Sequence, residues 1–379
     1  MDTIKLTDIC RPKQWKTIST NLFKKEGYPV YGANGKIGFF NSYTHERPTV
    51  LITCRGATCG TINICEPQSY VNGNAMALDK LDVNYSLKFL YYVLKARGLN
   101  DVISGSAQPQ ITRTNLSKVL IPNPPLKTQQ KIASVLDKAD RLVQLNRQLL
   151  EKYDQLAQSL FWEMFGDPVS NVLNWKTTPV ENVCLQIMGG GTPSKSHDEF
   201  YTGNIPWVTP KDMKVLYIKN SRDKITEDAI AMSSAKLIPS NSILMVIRSG
   251  ILKKKLPVAI NTREVTLNQD MKAFIPDQNQ INPQFFLYFF LMSQRYLLSK
   301  VRAVTADNIE FKQIKELPVP LPRKELQEKF ADSIKNIEEQ KALAKQSFQK
   351  SQDLFQSLLQ KAFKGELIKE EELNVLNEV

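Results

Sequence analysis

Catalysis by this chain would have to draw on a small stock of reactive side chains. Only two histidines, His45 and His197, occur in 379 residues, so a Ser-His-Asp or Cys-His arrangement has little to draw on. Cysteines stand at 10, 54, 59, 65 and 184. None forms a CxxC pair, and His45 is the sole histidine in its half, so the spacing offers no metal site. Asn123-Pro124-Pro125 has the outline of an element that holds an exocyclic amine for methyl transfer. That chemistry wants an aromatic next, to stack on the base, and Leu126 stands there. Two prolines ahead of an apolar-periodic stretch read better as a helix start. Gly189-Gly190-Gly191-Thr192-Pro193-Ser194-Lys195 has the look of a phosphate loop, but Ser194 stands where a Walker loop needs the glycine before Lys. A plain tight turn, or a turn whose amides touch a nucleic-acid phosphate, are the alternatives left. No acidic cluster with a lysine marks a nuclease centre. The chemistry that remains is recognition.

The elements that would position such groups come from a duplication. Sliding the chain by 198 residues lays Ile121-Pro122 over Val319-Pro320, and Gln129, Lys131 and Ala133 over Gln327, Lys329 and Ala331. It also lays Leu156-x-Gln158-Ser159-Leu160 over Leu354-x-Gln356-Ser357-Leu358, and Asn84, Arg97, Ile111 and Phe165 over Asn282, Arg295, Ile309 and Phe363. Further upstream the copies match with gaps: Leu51-Ile52 ahead of Arg55 against Leu244-Met245 ahead of Arg248, and Asn74-Ala75-Met76 against Gln269-Asp270-Met271. Repeats this long are duplicated globular domains, not a solenoid.

Each copy ends in a long helix. Steps of four and three residues pass through Ile132, Leu136, Ala139, Val143, Asn146, Leu150, Tyr153, Ala157, Leu160 and Met164. The second series is Phe330, Ile334, Ile337, Lys341, Ala344, Phe348, Ser351, Phe355, Leu358 and Ala362. A 3.5-residue period over five heptads, without Pro or Gly, marks a coiled-coil seam. At 1.5 Å per residue each helix of ~38 residues runs ~57 Å. Before each helix the pattern is mixed: glycine-rich turns at 27–35 and 188–195, strands at Val50–Cys54 and Ser242–Ile247, and apolar helices at Leu87–Lys95 and Phe285–Leu291. The boundaries follow: a first domain over 1–125, a helix over 126–168, a second domain over 169–322, and a C-terminal helix and tail over 323–379.

Composition is that of an ordinary globular protein, 42% hydrophobic and 23% charged. The formal charge of +12, from 50 Lys+Arg against 38 Asp+Glu, favours a polyanionic partner, most simply nucleic acid. No apolar run reaches the ~18 residues of a membrane span, and the N-terminus lacks an apolar signal region. An odd number of scattered cysteines suits reduced thiols in a cytoplasm.

Four passages give the chain a family likeness. Tyr28-Pro-Val-Tyr-Gly-Ala-Asn-Gly35 with Val71-Asn-Gly-Asn-Ala-Met76 is the first. Ser104-Gly-Ser-Ala-Gln-Pro-Gln-Ile-Thr112, running on to Ile121-Pro122 and Gln129-Gln130-Lys131-Ile132, is the second. Gly190-Gly-Thr-Pro-Ser-Lys195 with Ile205-Pro-Trp-Val208 and Asp212-Met-Lys214 is the third, and Arg248-Ser-Gly-Ile251 with Leu256-Pro-Val-Ala259 and Asn268-Gln-Asp-Met271 the fourth. In this order they resemble the specificity subunit of a Type I restriction–modification system. Two departures are the run Lys253-Lys254-Lys255, and Ala303–Asn308, which lacks the Ser-Gly…Gln-Pro of the first copy.

The resemblance implies an α+β fold of two globular α/β target-recognition domains, each followed by a long helix. The helices would pack as an antiparallel coiled coil with pseudo-twofold symmetry. It implies a non-catalytic subunit that reads a bipartite, asymmetric target in double-stranded DNA. Two modification subunits, which are N6-adenine methyltransferases, and restriction (motor-nuclease) subunits would be its partners. S-adenosylmethionine, ATP and Mg would sit on those partners. A stand-alone two-domain DNA-binding regulator is the alternative, although no helix-turn-helix pattern supports it; a self-contained methyltransferase is a third.

On a DNA-reading surface, Lys and Arg contact phosphates while Arg, Asn and Gln read base edges. The first half offers Tyr31, Asn34, Arg55, Asn72, Asn74, Gln108 and Gln110. The second offers Lys195, Trp207, Lys211, Arg248, Lys253, Lys254, Lys255, Asn268 and Gln269, although Trp207 after Pro206 suits core packing better than base stacking.

Overall fold

The computed structural model describes residues 2–105, 107–303 and 307–367. Two compact units emerge, one from the chain up to Gln148 together with the chain from Lys345 onward, the other from Leu149–Ala344. Each unit therefore combines a globular part with a stretch of both long helices, because the helices bury their ends in the globular cores.

In the first unit, strands β2 (Arg11–Gln14), β8 (Ala75–Asp79), β5 (Val50–Thr53) and β6 (Ile62–Ile64) form an antiparallel sheet in that order. A second sheet runs β4 (Gly35–Phe40), β3 (Tyr28–Gly32), β7 (Tyr70–Val71), with β3 antiparallel to β4 and parallel to β7. A short pair, β1 (Thr3–Lys5) and β9 (Leu120–Pro122), closes the domain's two ends together. The stretch 27–35, expected as a turn, is mostly strand. Tyr28–Gly32 is laddered to β4 along its length and to β7 at Val30 and Tyr31, and Ala33–Asn34 turns. Helix α2 (Leu87–Arg97) buries Phe89, Leu90, Val93 and Leu94 at helical spacing. It starts on the Ser86 hydroxyl, which accepts from the Phe89 N–H, and stops at Gly98 with φ +67°.

The second unit repeats the plan. Strands β11 (Cys184–Gly189), β18 (Met271–Pro276), β15 (Ile243–Val246) and β16 (Val258–Asn261) form the large sheet, extended by β13 (Tyr217–Ile218). Strands β14 (Asp223–Ile225), β12 (Ile205–Val208) and β17 (Thr266–Leu267) form the small one, again with one antiparallel and one parallel pairing. β10 (Thr177–Pro179) pairs with β21 (Pro318–Pro320) as β1 does with β9. Helix α6 (Pro283–Met292) is apolar all round and buries Phe285 through Phe290, as a core helix must.

Backbone hydrogen bonds align the copies residue by residue. Cys54 N–H donates to Asn74 O (3.0 Å) and Cys54 O accepts from Ile111 N–H (3.0 Å); Ile247 makes the same bonds with Asp270 (2.9 Å) and Ile309 (3.0 Å). Arg55 and Arg248 are thus equivalent, as the sequence match had them. Asn74 is level with Asp270 and Ala75 with Met271, one residue away from the match by residue type. Strand register is set by the ladder, where Thr53 faces Ala75 and Val246 faces Met271, and a one-residue slip would turn the strand inside out.

Helices α4 (Leu126–Phe165) and α9 (Lys324–Lys364) have 40 and 41 residues. In the first unit Ile132, Leu136, Ala139 and Val143 of α4 share one core with Phe355, Leu359 and Ala362 of α9. In the second, Ala157, Phe161 and Phe165 share a core with Phe330 and Ile334. In each unit, opposite ends of the two helices meet. The strict 3.5-residue stepping places Leu160, Met164 and Leu358 at the seam, but these are half-buried, while Phe161, Phe165 and Leu359 lie deepest. A 3.6-residue helix drifts ~20° per heptad, and here each end turns toward its own domain instead of following the seam. Phe161 stacks on Phe285 (5.6 Å between centroids) and Phe165 meets Phe285 and Phe330 edge-on (4.7 and 5.3 Å). Full burial of each ring stabilises by about 1.5–3 kcal/mol.

A buried glutamine fixes each domain to its helix. Gln129 accepts from Ser86 N–H (2.8 Å) and donates to Asn84 O (3.4 Å) and Pro124 O (2.8 Å). Gln327 accepts from Asn282 N–H (2.8 Å) and donates to Gln280 O (3.3 Å) and Pro322 O (2.9 Å). The prolines before each helix are therefore part of a domain–helix joint, not of a methyl-transfer element. Among the described residues no helix is long and apolar enough to cross a membrane.

Candidate nucleic-acid interface

Five segments of the first unit converge at one end of its sheets. The Thr53 hydroxyl donates to Ala33 O (2.5 Å), the Thr58 hydroxyl to Asn34 Oδ1 (2.8 Å), and Gln14 Nε2 to Gly73 O (3.1 Å). Arg55 and Gln110 face one another across an isolated antiparallel bridge, and Gly56 N–H donates to Pro109 O (3.2 Å). Positive φ at Gly56 (+92°), Gly60 (+91°) and Gly105 (+84°) makes these sharp reversals possible. Asn34, Arg55, Asn74, Gln108 and Gln110, far apart in sequence, share this rim with exposed side chains.

Lys13, Gln14 and Arg113, which sequence reasoning did not single out, join Arg55 and Gln110 around a cleft of about 360 Å³. It adjoins a larger cleft of about 770 Å³ that shares Pro12, Lys13 and Arg113 and adds Arg11, Arg47 and Lys80. None of Arg11, Lys13, Arg47, Lys80 and Arg113 has an ion-pair partner among the described residues, and Glu46 is the one exposed acid on the wall. The sequence signal that could have found them is Arg11-x-Lys13 around the buried Pro12, an alternation that turns both cations outward on an edge strand.

At the floor lies a buried pair, His45 Nε2 with Asp79 Oδ1 at 2.8 Å, and Trp15 Nε1 donates to Asp79 Oδ2 (3.1 Å). Thr44 Oγ1 lies 2.8 Å from His45 Nδ1, which gives a triad outline. That hydroxyl already accepts from Val71 N–H (2.9 Å) and lies against Ser69 O, so it is committed to holding backbone and is no free nucleophile. Burial pushes the thiols of Cys10 and Cys184 up to about 12, and those of Cys54, Cys59 and Cys65 upward, so all five stay protonated near neutrality. Among the described residues no group of three or more His, Cys, Asp or Glu could hold a metal.

Several sequence candidates have other work. Tyr31 is buried in a small core with Val71 and Ala75. Asn72 is buried; its Oδ1 accepts from Ile18 and Gly73 N–H (3.1 and 2.9 Å). Trp207 is buried and its Nε1 donates to Gly191 O (3.0 Å). Asn268 is buried against Asp270. None of these four presents a base-reading edge to solvent. Turn and strand positions rich in Asn and aromatics look alike in sequence whether the side chain points in or out.

In the second unit Lys195, Lys211, Lys253, Lys254, Lys255 and Gln269 are exposed, and Arg248 is half-exposed. Gln269 Oε1 accepts from the Thr192 hydroxyl. The glycine loop beside it is not an anion cradle. Gly191 N–H donates to Leu267 O (2.8 Å) and Gly190 N–H to Met271 O (3.4 Å). A Cβ on Gly190 would strike the backbone of Leu267 and Asn268, and one on Gly191 that of Ser234 and Ala235. These glycines serve close packing. The second-unit stretch Ala303–Asn308 falls partly outside the described residues, at 304–306, as does Ser106 in the first.

Comparison with known proteins adds a family. The family model for the type I restriction modification DNA specificity domain matches residues 1–153 and 173–350. The Type I restriction enzyme EcoR124I/EcoR124II specificity subunit of Escherichia coli is 33% identical over 260 residues, 65% of this chain and 62% of that one. The chain thus spans less than two thirds of that relative's length. The S subunit of a Type I restriction-modification system from M. genitalium has the same fold, with a TM-score of 0.62 at 16% identity over 96% of both chains. A chain from a structure of type I R-M complex assembly and conformational transition gives a TM-score of 0.56 at 17% identity over 97% of this chain and 98% of that one.

Proposed function

This chain belongs to the type I restriction modification DNA specificity family, and from that premise we propose that it is the target-reading subunit of a restriction–modification complex. Each unit reads one half of a bipartite, asymmetric duplex target, and the chain itself catalyses nothing. The observation that carries this reading is the rim of the first unit, where Arg55, Gln110, Asn34 and Asn74 stand together beside cations that have no ion-pair partner among the described residues. Guanidinium and amide groups read base edges, and lysines and arginines hold phosphates.

Two modification subunits and the restriction subunits carry S-adenosylmethionine, ATP and Mg. The modification subunits dock on exposed apolar residues of α4, among them Val135, Leu142 and Leu145 on its first-unit stretch and Leu149, Leu156 and Trp162 on its second-unit stretch. Water-facing leucines at heptad spacing suit a further helix. Five free thiols suit a reducing cytoplasm.

The test is to exchange residues 1–125 for another recognition domain and to map methylated adenines in DNA from cells carrying each version. One half of the target changes and the other persists. A change in both halves, or in neither, refutes the modular reading.

A further inference from the structure

The two copies treat one equivalent arginine differently. Arg248 is held side-on: its Nε (2.8 Å) and Nη2 (2.7 Å) both engage Asp270 Oδ1. Asp270 is itself held, since Asn268 Nδ2 donates to its Oδ2 (3.2 Å) and its N–H donates to Asn268 Oδ1 (3.2 Å). Asn268 is buried and pinned by its own N–H on Val208 O (3.0 Å). A line of three side chains therefore runs from the core to an exposed guanidinium. In the first unit the same positions are Asn72, Asn74 and Arg55. Asn72 turns its side chain to Ile18, a neutral amide replaces the carboxylate, and Arg55 has no ion-pair partner among the described residues.

An exposed ion pair stabilises a fold little, and Arg248 remains 51% exposed, so folding stability does not account for the arrangement. What the arrangement does is restrict a long, rotamer-rich side chain before any ligand arrives, and side-chain ordering is a main cost of binding. The carboxylate takes two of the guanidinium's five N–H donors. Of the three left, one on each Nη forms the Nη1–Nη2 edge, the fork that matches guanine O6 and N7. Gln269, exposed and next in the chain to Asp270, accepts from the Thr192 hydroxyl instead.

We propose that Asn268 and Asp270 are positioning residues that hold Arg248 as the reader of one guanine in the second unit's half-site, while Arg55, lacking this support, reads with less discrimination. The inference rests on the DNA-reading assignment above.

The test uses the full chain assembled with its modification subunits. The wild-type target is found by methylated-adenine mapping, and competition binding then uses duplexes altered one base pair at a time. A good bidentate arginine–guanine pair accounts for roughly tenfold discrimination or more. D270N and R248K should each lose about that factor at the same single G·C pair of the second half-site. Discrimination elsewhere and the salt dependence of binding stay as in wild type. N74D, which installs the carboxylate beside Arg55 and does not touch the second unit, should sharpen discrimination at one base pair of the first half-site. Uniform weakening by D270N on every duplex, with an altered salt slope, would assign Arg248 to a phosphate and overturn the proposal. So would unchanged discrimination in both D270N and N74D. A wild-type complex without sequence preference would remove the DNA-reading assignment itself, and with it this inference.

Discussion

The basic cleft of the first unit makes a quantitative prediction about salt. Arg47 and Lys80 line its outer wall, are exposed, and have no ion-pair partner among the described residues. Neither side chain takes part in the Asp79–His45–Trp15 hydrogen bonds, so replacing them leaves those bonds in place. If each meets one phosphate, each contributes about 0.9 to the slope of log affinity against log salt. The R47A/K80A double variant should then lower the slope by about 1.8. Between 50 and 200 mM salt, a fourfold change, the wild type should lose about twelvefold more affinity than the variant does, since four to the power 1.8 is about twelve. The measurement is duplex binding by the full chain with its modification subunits at four or five salt concentrations. The methylated target should be the same for both proteins, because phosphate contacts carry no base information. A slope unchanged within about 0.3, in a variant whose thermal unfolding matches wild type, would show that DNA does not enter this cleft.

Two further outcomes follow from the buried joints. Gln129→Ala removes three hydrogen bonds and leaves the Ser86 N–H buried without its acceptor. At ~1 kcal/mol per bond the loss is about 2–4 kcal/mol, or a Tm lower by roughly 4–16 °C for a unit of this size; Gln327→Ala should cost the same in the second unit, and a shift under about 1 °C for either would refute the joint. Gly191→Ala should destabilise the second unit by about 1–3 kcal/mol through backbone overpacking, read as a lower denaturant midpoint, whereas full stability with weakened DNA binding would restore the phosphate-loop reading.

The chain's duplication, its two long helices and its family likeness were all legible in the amino-acid sequence. Each depends on local or one-dimensional information. A 3.5-residue apolar period says helix wherever it occurs, and Gln129 and Gln327 recur at one offset because each makes the same three bonds in its own copy. Motif chemistry is equally local: Leu126 after Asn-Pro-Pro and Ser194 before Lys195 disqualify two catalytic elements without reference to any fold.

The interface was legible only in part, because exposure and convergence are long-range properties. Asn72 and Asn74 are two residues apart and chemically identical, yet one side chain is buried on Ile18 and the other is exposed at the rim. Lys13 and Gln14 gather beside Arg55 because antiparallel ladders bring strand 11–14 to strand 75–79 and that strand to strand 50–53, pairings that no short window of sequence encodes. Arg55 and Arg248 were matched by type alone, and the structure adds that the Asp270 carboxylate holds Arg248 while Asn74 occupies the position of Asp270 in the first unit. That the counterpart of Asp270 is Asn74, one residue away from the match by residue type, is fixed by backbone hydrogen bonds between segments about twenty residues apart. The duplication, the two long helices and the motif chemistry were thus local enough to read from the chain, whereas 27–35, expected as a turn, became a strand through its pairing with distant segments. Which polar side chains face outward, and which neighbours hold them, was decided by packing between distant segments.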